Sequence, residues 1–284
     1  MDVAPWVPDD FWREWRSAIK THKPDALTVA ETWFDASKYF VGDMFDSTMN
    51  YIFRTAVLEY AAGGNARTLY AHLEHLREAY PPQALFALMN LLSSHDQRRA
   101  LHALGWRGDA NDTTDTTNPA GPATMQLAKQ RLKLALALYF QMTYPGAPAV
   151  YYGDEVGVTG GDNPFNRATY PWADLGGKPD AALLAEFKEL MKLRSDHPVL
   201  SRGSLDAPLY TDEHVIVWLR RHPGQLALVA VNNALNPRNV KLQLPANARA
   251  AQLRATDGGA DLAVRQGSVV AEIPALGGRV WITP

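Results

Sequence analysis

Between Leu27 and Arg194, short apolar runs alternate with longer stretches of helical spacing, and this restricts the chain to parallel strands joined by helical crossovers. Leu27-Thr28-Val29-Ala30 follows the turn signal Lys23-Pro24-Asp25 and stops at the charged Glu31. A strand buried on both faces has this pattern where it emerges into a polar site. Helical spacing follows over 48–62 and 66–80, divided by Gly63-Gly64-Asn65, and an apolar stretch over 84–92 ends in Ser93-Ser94-His95-Asp96. Residues 125–142 predict a long, well-buried helix. Pro145-Gly146-Ala147-Pro148 breaks the chain ahead of a strand at 149–152 that delivers Gly153-Asp154-Glu155, and 181–194 supplies another helix. Ahead of all of these, 9–20 opens with acidic caps and places Phe11, Trp12, Trp15 and Ile19 on one helical stripe. In an α/β layer or barrel built this way, polar residues collect at the C-terminal ends of the strands.

The pattern changes near Ser201. Short runs at 215–219, 226–231, 239–244 and 269–273, separated by Pro, Gly and Asn turns, predict strands of an all-β domain. The expected division is therefore 1–203, an α/β domain, and 204–284, a β-sandwich. The polar segment 108–121 reads as an exposed loop.

Charge excludes two partner classes. With 28 Lys plus Arg against 30 Asp plus Glu, the net charge of -2 supplies neither a basic field for nucleic acid nor a polybasic membrane anchor. No run approaches the roughly 18 apolar residues of a membrane span, and the first residues lack the basic and apolar regions of a signal peptide. A cytoplasmic location is slightly favoured over secretion. The absence of cysteine removes disulfides, thiolate metal sites and cysteine nucleophiles. A neutral substrate fits such a chain, and its eight Trp offer flat faces for sugar rings as readily as for a core.

Three carboxylates, Asp2, Glu31 and Asp96, stand where an α/β barrel exposes its strand ends. Cleavage of a glycosidic bond needs one carboxylate to attack and a second to carry the proton, roughly 5 Å apart in a retaining enzyme. Taken singly, a strand-end acid reads equally as a helix cap or a loop ion pair. His95 alone reads as a satisfied buried histidine, and Trp33 as either a packing or a stacking residue.

Several segments, in order, resemble those of glycoside hydrolase family 13, the α-amylase family, and particularly its neopullulanase, cyclomaltodextrinase and maltogenic amylase-like members. They are Asp2-Val3-Ala4 with Asp10-Phe11-Trp12-Arg13-Glu14, Val29-Ala30-Glu31-Thr32-Trp33, Phe45-Asp46-Ser47-Thr48-Met49-Asn50-Tyr51, Leu91-Leu92-Ser93-Ser94-His95-Asp96, and Tyr151-Tyr152-Gly153-Asp154-Glu155 with Asn163-Pro164, Asn166-Arg167 and Trp172. The resemblance implies the C-terminal half of a (β/α)8 barrel followed by a β-sandwich, and an enzyme that hydrolyses starch-type α-glucans, maltooligosaccharides or cyclodextrins. It implies Asp2 as nucleophile, Glu31 as acid/base and Asp96 as the third carboxylate, with His95 and Trp33 on the substrate. Arg167 is expected to pair with Asp162 or another acid of its loop.

No organic cofactor is implied. The family allows a structural calcium ion, but the Asp109-Asp112-Asp115 spacing has no recognisable binding loop. Only about 200 residues precede the β domain, against about 250 for a whole barrel. The expectation is a truncated chain with Asp2 at a frayed end, little activity alone, and exposed edges that favour a homo-oligomer or a partner fragment. The alternative is a non-catalytic carbohydrate-binding or assembly protein on the same fold.

Overall fold

The computed structural model describes residues 1–105, 122–248 and 250–284. Helix α1 (Asp9–His22) begins with two acids at the positive end of its dipole and buries Trp12, whose ring meets Phe11, Trp15 and Phe45 edge-on. Its polar side is tied to the first two strands, β1 (Val29–Ala30) and β2 (Ser47–Thr48), through Asp46. That carboxylate accepts from Arg16 Nη2 at 2.8 Å, Lys20 Nζ at 2.9 Å, and both the amide and hydroxyl of Thr28 at 2.9 Å. Burial works to raise the Asp46 pKa, but the donors outweigh it and hold the group far below the usual carboxylate range.

Strand β1 pairs in parallel with β2, Val29 opposite Ser47. A parallel bridge from Met49 to Met89 carries the ladder to β3 (Met89–Leu91), which pairs in parallel with β4 (Ala147–Ala149). The four strands thus lie side by side in chain order. Between them run α2 (Tyr51–Ala62), α3 (Ala66–Ala79), α4 (Pro82–Ala87), α5 (Ala100–Ala103) and α6 (Pro122–Thr143), and after them α7 (Ala181–Asp196) and α8 (Pro198–Arg202).

Three of the boundaries differ from those expected, two of them for a visible local reason. Helix α2 starts at 51 rather than 48 because Ser47 and Thr48 are held in the ladder, and Asn50 caps the helix by accepting from the Phe53 amide. The apolar stretch 84–92 divides into α4 and β3. Strand β4 comes at 147–149 rather than 149–152, because the Gln141 side chain donates to the carbonyls of both Asn90 and Ala149 and occupies the place of the next rung.

Beyond Arg202 the chain is built of strands. They are β5 (Ser204–Leu205), β6 (Tyr210–Thr211), β7 (Val215–His222), β8 (Gln225–Asn232), β9 (Arg238–Gln243), β10 (Gln252–Ala255), β11 (Leu262–Ala263), β12 (Ser268–Ile273) and β13 (Gly277–Ile282). The main sheet runs β11-β10-β13-β8-β7-β5 with β6 also on β7, and β9 pairs with β12 separately. Alternation in β7 sends Ile216 and Trp218 into the same core as the helices, and Val215, Val217 and Leu219 into a second core with β9, β12 and Trp281. Gly278 in β13 is required by close packing: a Cβ there would lie 2.7 Å from the Tyr139 ring of α6.

Two arginines close the junction. Fully buried Arg220 of β7 donates to the carbonyls of Thr143, Leu200, Gly203 and Ser204, and Arg194 of α7 donates to those of Met142, Tyr144, Gly146 and Leu200. Both cations therefore sit at the C-terminal end of α6, where unpaired carbonyls and the helix dipole favour positive charge. Burial, and then the charge of Arg194, pull the Arg220 pKa down to about 9, which leaves it charged at neutral pH. Replacing Arg220 by Met removes a donor from four carbonyls, of which Leu200 keeps Arg194, and is expected to cost about 3 kcal/mol in urea unfolding. An unchanged midpoint and slope would contradict this clamp.

Candidate active site

The ladder continues on the outer side of β1. The Met1 amino group donates to the Val29 carbonyl at 2.7 Å, and the Glu31 amide donates to the Met1 carbonyl at 2.9 Å. Asp2 was expected to lack a strand, but its predecessor is laid along β1, so Asp2 emerges beside Glu31. Val3 then adopts φ 44°, ψ 40°, a left-handed conformation that a β-branched residue enters at a cost of about 1–3 kcal/mol. This turn aims the Val3 amide at Glu31 Oε2, 2.9 Å away.

The other oxygen of Glu31 accepts from Trp33 Nε1 at 3.3 Å. Burial is the largest influence on Glu31 and raises its pKa, but the Val3 amide, Asp2 and Trp33 together outweigh burial and leave it lowered. The hydrogen bond with Glu31, followed by the charge of Glu31, raises Asp2. The two carboxylates thus pull each other's pKa in opposite directions, Asp2 upward and Glu31 downward.

Trp33 has two roles at once. One face of its half-exposed ring lies against Tyr51, centroids 5.0 Å apart, while its N–H holds Glu31. The Tyr51 hydroxyl meets Ser94 Oγ at 3.0 Å, and Ser94 Oγ accepts from the Asp96 amide at 3.1 Å. A continuous chain of contacts thus joins the ends of β1, β2 and β3. His95 Nε2 lies 3.3 Å from Asp96 Oδ2.

Arg167 Nη2 approaches Asp96 Oδ1 at 3.4 Å, and this corrects the expected pairing within its own loop. Asp162 is instead gripped through both oxygens by Arg98, at 2.7 Å each. Arg98 presents the two-pronged geometry a carboxylate accepts best.

Asp2, Glu31 and Asp96 line one open cleft of about 450 Å³, together with Trp6, Trp33 and Phe34. Trp6 is 85% exposed and Phe34 56% exposed. Neither was singled out from sequence, although each lies within four residues of a carboxylate on the expected site. Among the described residues no group of three or more His, Asp or Glu is arranged to hold a metal ion. Asp109, Asp112 and Asp115 lie outside the described residues. No described helix is long and apolar enough to cross a membrane.

Behind the cleft, a second carboxylate is buried with a cation. Arg99 is fully buried, lies over the rings of Tyr151 and Tyr152 at 4.0 and 4.6 Å, and donates to the Tyr152 carbonyl and to Asp154 Oδ1. Burial raises the Asp154 pKa to about 6, against the opposing pull of Arg99.

The comparisons with known proteins agree with this architecture. The family profile described as "Alpha amylase, catalytic domain" matches residues 7–174. An amylopullulanase of Thermoanaerobacter thermohydrosulfuricus is 36% identical over 309 aligned positions, covering 100% of this chain and 20% of that protein. Neopullulanase 2 of Thermoactinomyces vulgaris is 36% identical over 86% of this chain and 38% of its own length. The solved structure of a cyclomaltodextrinase superposes with a TM-score of 0.80 at 30% identity, covering 99% of this chain and 44% of that one. The chain belongs to the alpha-amylase family. It spans from a fifth to about two fifths of the length of these curated relatives.

Asp154 supplies a stability test. Between its unfolded value of 3.8 and about 6, the folded protein keeps a proton that the unfolded chain has lost, so this group lowers stability as pH rises through that window. Asp154→Asn removes the effect. The variant is expected to gain about 2–3 kcal/mol on the parent between pH 4 and pH 7 in chemical denaturation. A difference that stays constant with pH would place the titration elsewhere.

Proposed function

We propose that this chain carries the reacting carboxylates of a retaining α-glucan hydrolase. The observation that carries the reading is the convergence of Asp2, Glu31 and Asp96 on one aromatic-walled cleft at the ends of parallel strands. The names of its relatives, amylopullulanase, neopullulanase and cyclomaltodextrinase, favour α-glucans such as pullulan, maltooligosaccharides and cyclodextrins as substrate class. On this reading β1–β4 and their helices, within residues 1–203, form half of a (β/α)8 barrel, and 204–284 form the β-sandwich that follows it. The parallel chain-order sheet and the superposition on a cyclomaltodextrinase support that assignment.

The chemistry follows from the positions. An Asp2 oxygen attacks the anomeric carbon, the bond to the leaving oxygen breaks, and the Glu31 proton passes to that oxygen. Glu31 then takes a proton from water, the water oxygen bonds to the anomeric carbon, and Asp2 is released. Asp96 and His95 hold hydroxyls of the sugar as it flattens toward an oxocarbenium-like state. Trp6, Trp33 and Phe34 offer apolar faces to the rings.

Glu31 must carry a proton to act as acid, and its pKa is pushed up by burial and down by the Val3 amide, Asp2 and Trp33. A sugar ring that parts Asp2 from Glu31 removes one of the lowering influences and lets burial favour the protonated form.

A second reading, a carbohydrate-binding protein that has lost catalysis, draws on the raised pKa of Asp2, which works against a charged nucleophile. The two readings separate with α-maltosyl fluoride, whose leaving group needs no proton. Glu31→Gln is expected to lose about 10²–10⁴-fold in reducing-sugar release from maltooligosaccharides yet to keep a fast first-turnover burst of fluoride, slowing only in the later step that needs Glu31 as base, while Asp2→Asn loses both. Binding of maltooligosaccharides without turnover of either substrate by the parent chain would favour the second reading, and equal rates in parent and Glu31→Gln would remove Glu31 from the mechanism.

A further inference from the structure

Loop 93–97, which carries His95 and Asp96, is held from behind by a segment that the proposed chemistry does not use. Asn166 is fully buried, and its side-chain amide donates to the carbonyls of Ser94 at 3.4 Å, His95 at 2.8 Å and Gln97 at 3.0 Å. These three carbonyls bracket Asp96. The cluster also fixes the orientation of the amide, since a flipped Asn166 would set its oxygen against three others.

Asn166 is itself anchored. Its backbone carbonyl accepts from Arg99 Nε at 2.8 Å, and the Arg99 amide donates to the Gly160 carbonyl at 3.0 Å. Gly160 lies so close that a Cβ there would fall 2.3 Å from the Phe165 carbonyl oxygen, so the segment folds back on itself with no room for a side chain. Arg167, the next residue, donates to the His95 carbonyl at 3.1 Å and reaches Asp96 at 3.4 Å. From the opposite side Ser94 Oγ, bonded to Tyr51, takes the Asp96 amide.

We propose that Asn166, seated on Arg99, is a positioning residue that fixes where Asp96 stands in the cleft, with His95 beside it. This rests on the reading of Asp96 as a group that grips the sugar. Asn166 is too deep to touch substrate, so its influence passes through the backbone on both sides of Asp96. Loss of its amide leaves three carbonyls without that donor and frees the loop to shift, and displacement of a positioned group by about 1 Å costs on the order of 10²-fold in rate.

A double-mutant cycle on α-maltosyl fluoride hydrolysis tests this. Asn166→Ala is expected to lower kcat by about 10- to 100-fold with KM within about twofold. In an Asp96→Asn background the same change is expected to cost less than about twofold, because the group it positions is already disabled. Arg167→Gln disturbs the same loop from the more exposed side and is expected to follow the same pattern with a smaller loss. It carries the test if Asn166→Ala does not fold. Full losses that multiply in the Asp96→Asn background would overturn the positioning role, as would an Asn166→Ala variant with parental kcat. A parental rate in Asp96→Asn alone would instead refute the reading of Asp96.

Discussion

The cleft depends on a parallel ladder that runs from Met1 across β1, β2 and β3 to β4. Side chains alternate along a strand, so a slip of one residue in β1 would turn Glu31 away from the cleft and bring Ala30 or Thr32 in its place. The register is fixed by contacts at both margins. Asp46 binds α1 to the start of β1 through Thr28, and Gln141 closes the ladder between Asn90 and Ala149. Because every strand points the same way, residues 2, 31, 94–96 and 150–154 all emerge at one end, which is why carboxylates far apart in sequence meet.

Polar groups behind that end are buried in pairs that settle geometry rather than add stability. Asp154 is held with Arg99 at an energetic cost that its raised pKa records. Arg99 in turn seats Asn166, which holds the loop of Asp96. The same logic recurs at the junction with the β strands, where Arg220 and Arg194 are satisfied by carbonyls at the end of α6. Sheet and helices share one core there, through Trp218 stacked on Phe140.

Much of this was legible in the sequence where periodicity and polarity agree. An apolar run ending abruptly at Glu31, or at His95-Asp96, announces a strand end, and the short β-branched apolar run 215–219 announces β7. Other features were hidden because the deciding partner is distant. Strand β13 begins with Gly277-Gly278, two residues of low strand propensity, and was not picked out, yet Gly278 is the residue that lets α6 approach the sheet. Asn166 looks like any polar loop residue until the three carbonyls around it are assembled. Trp6 gives no periodic signal, and its exposure on the cleft wall appears only with the fold. The left-handed Val3, which turns its amide to Glu31, has no local sequence signature.

The central claim, that Asp2 is the attacking carboxylate of a retaining site, is tested most directly by trapping. A fluorinated maltosyl fluoride whose glycosyl–enzyme turns over slowly should leave one sugar unit on the protein, found by peptide mass mapping. The account predicts an ester on Asp2. A label on Glu31 or Asp96, or no label under conditions where the fluoride is consumed, would contradict it.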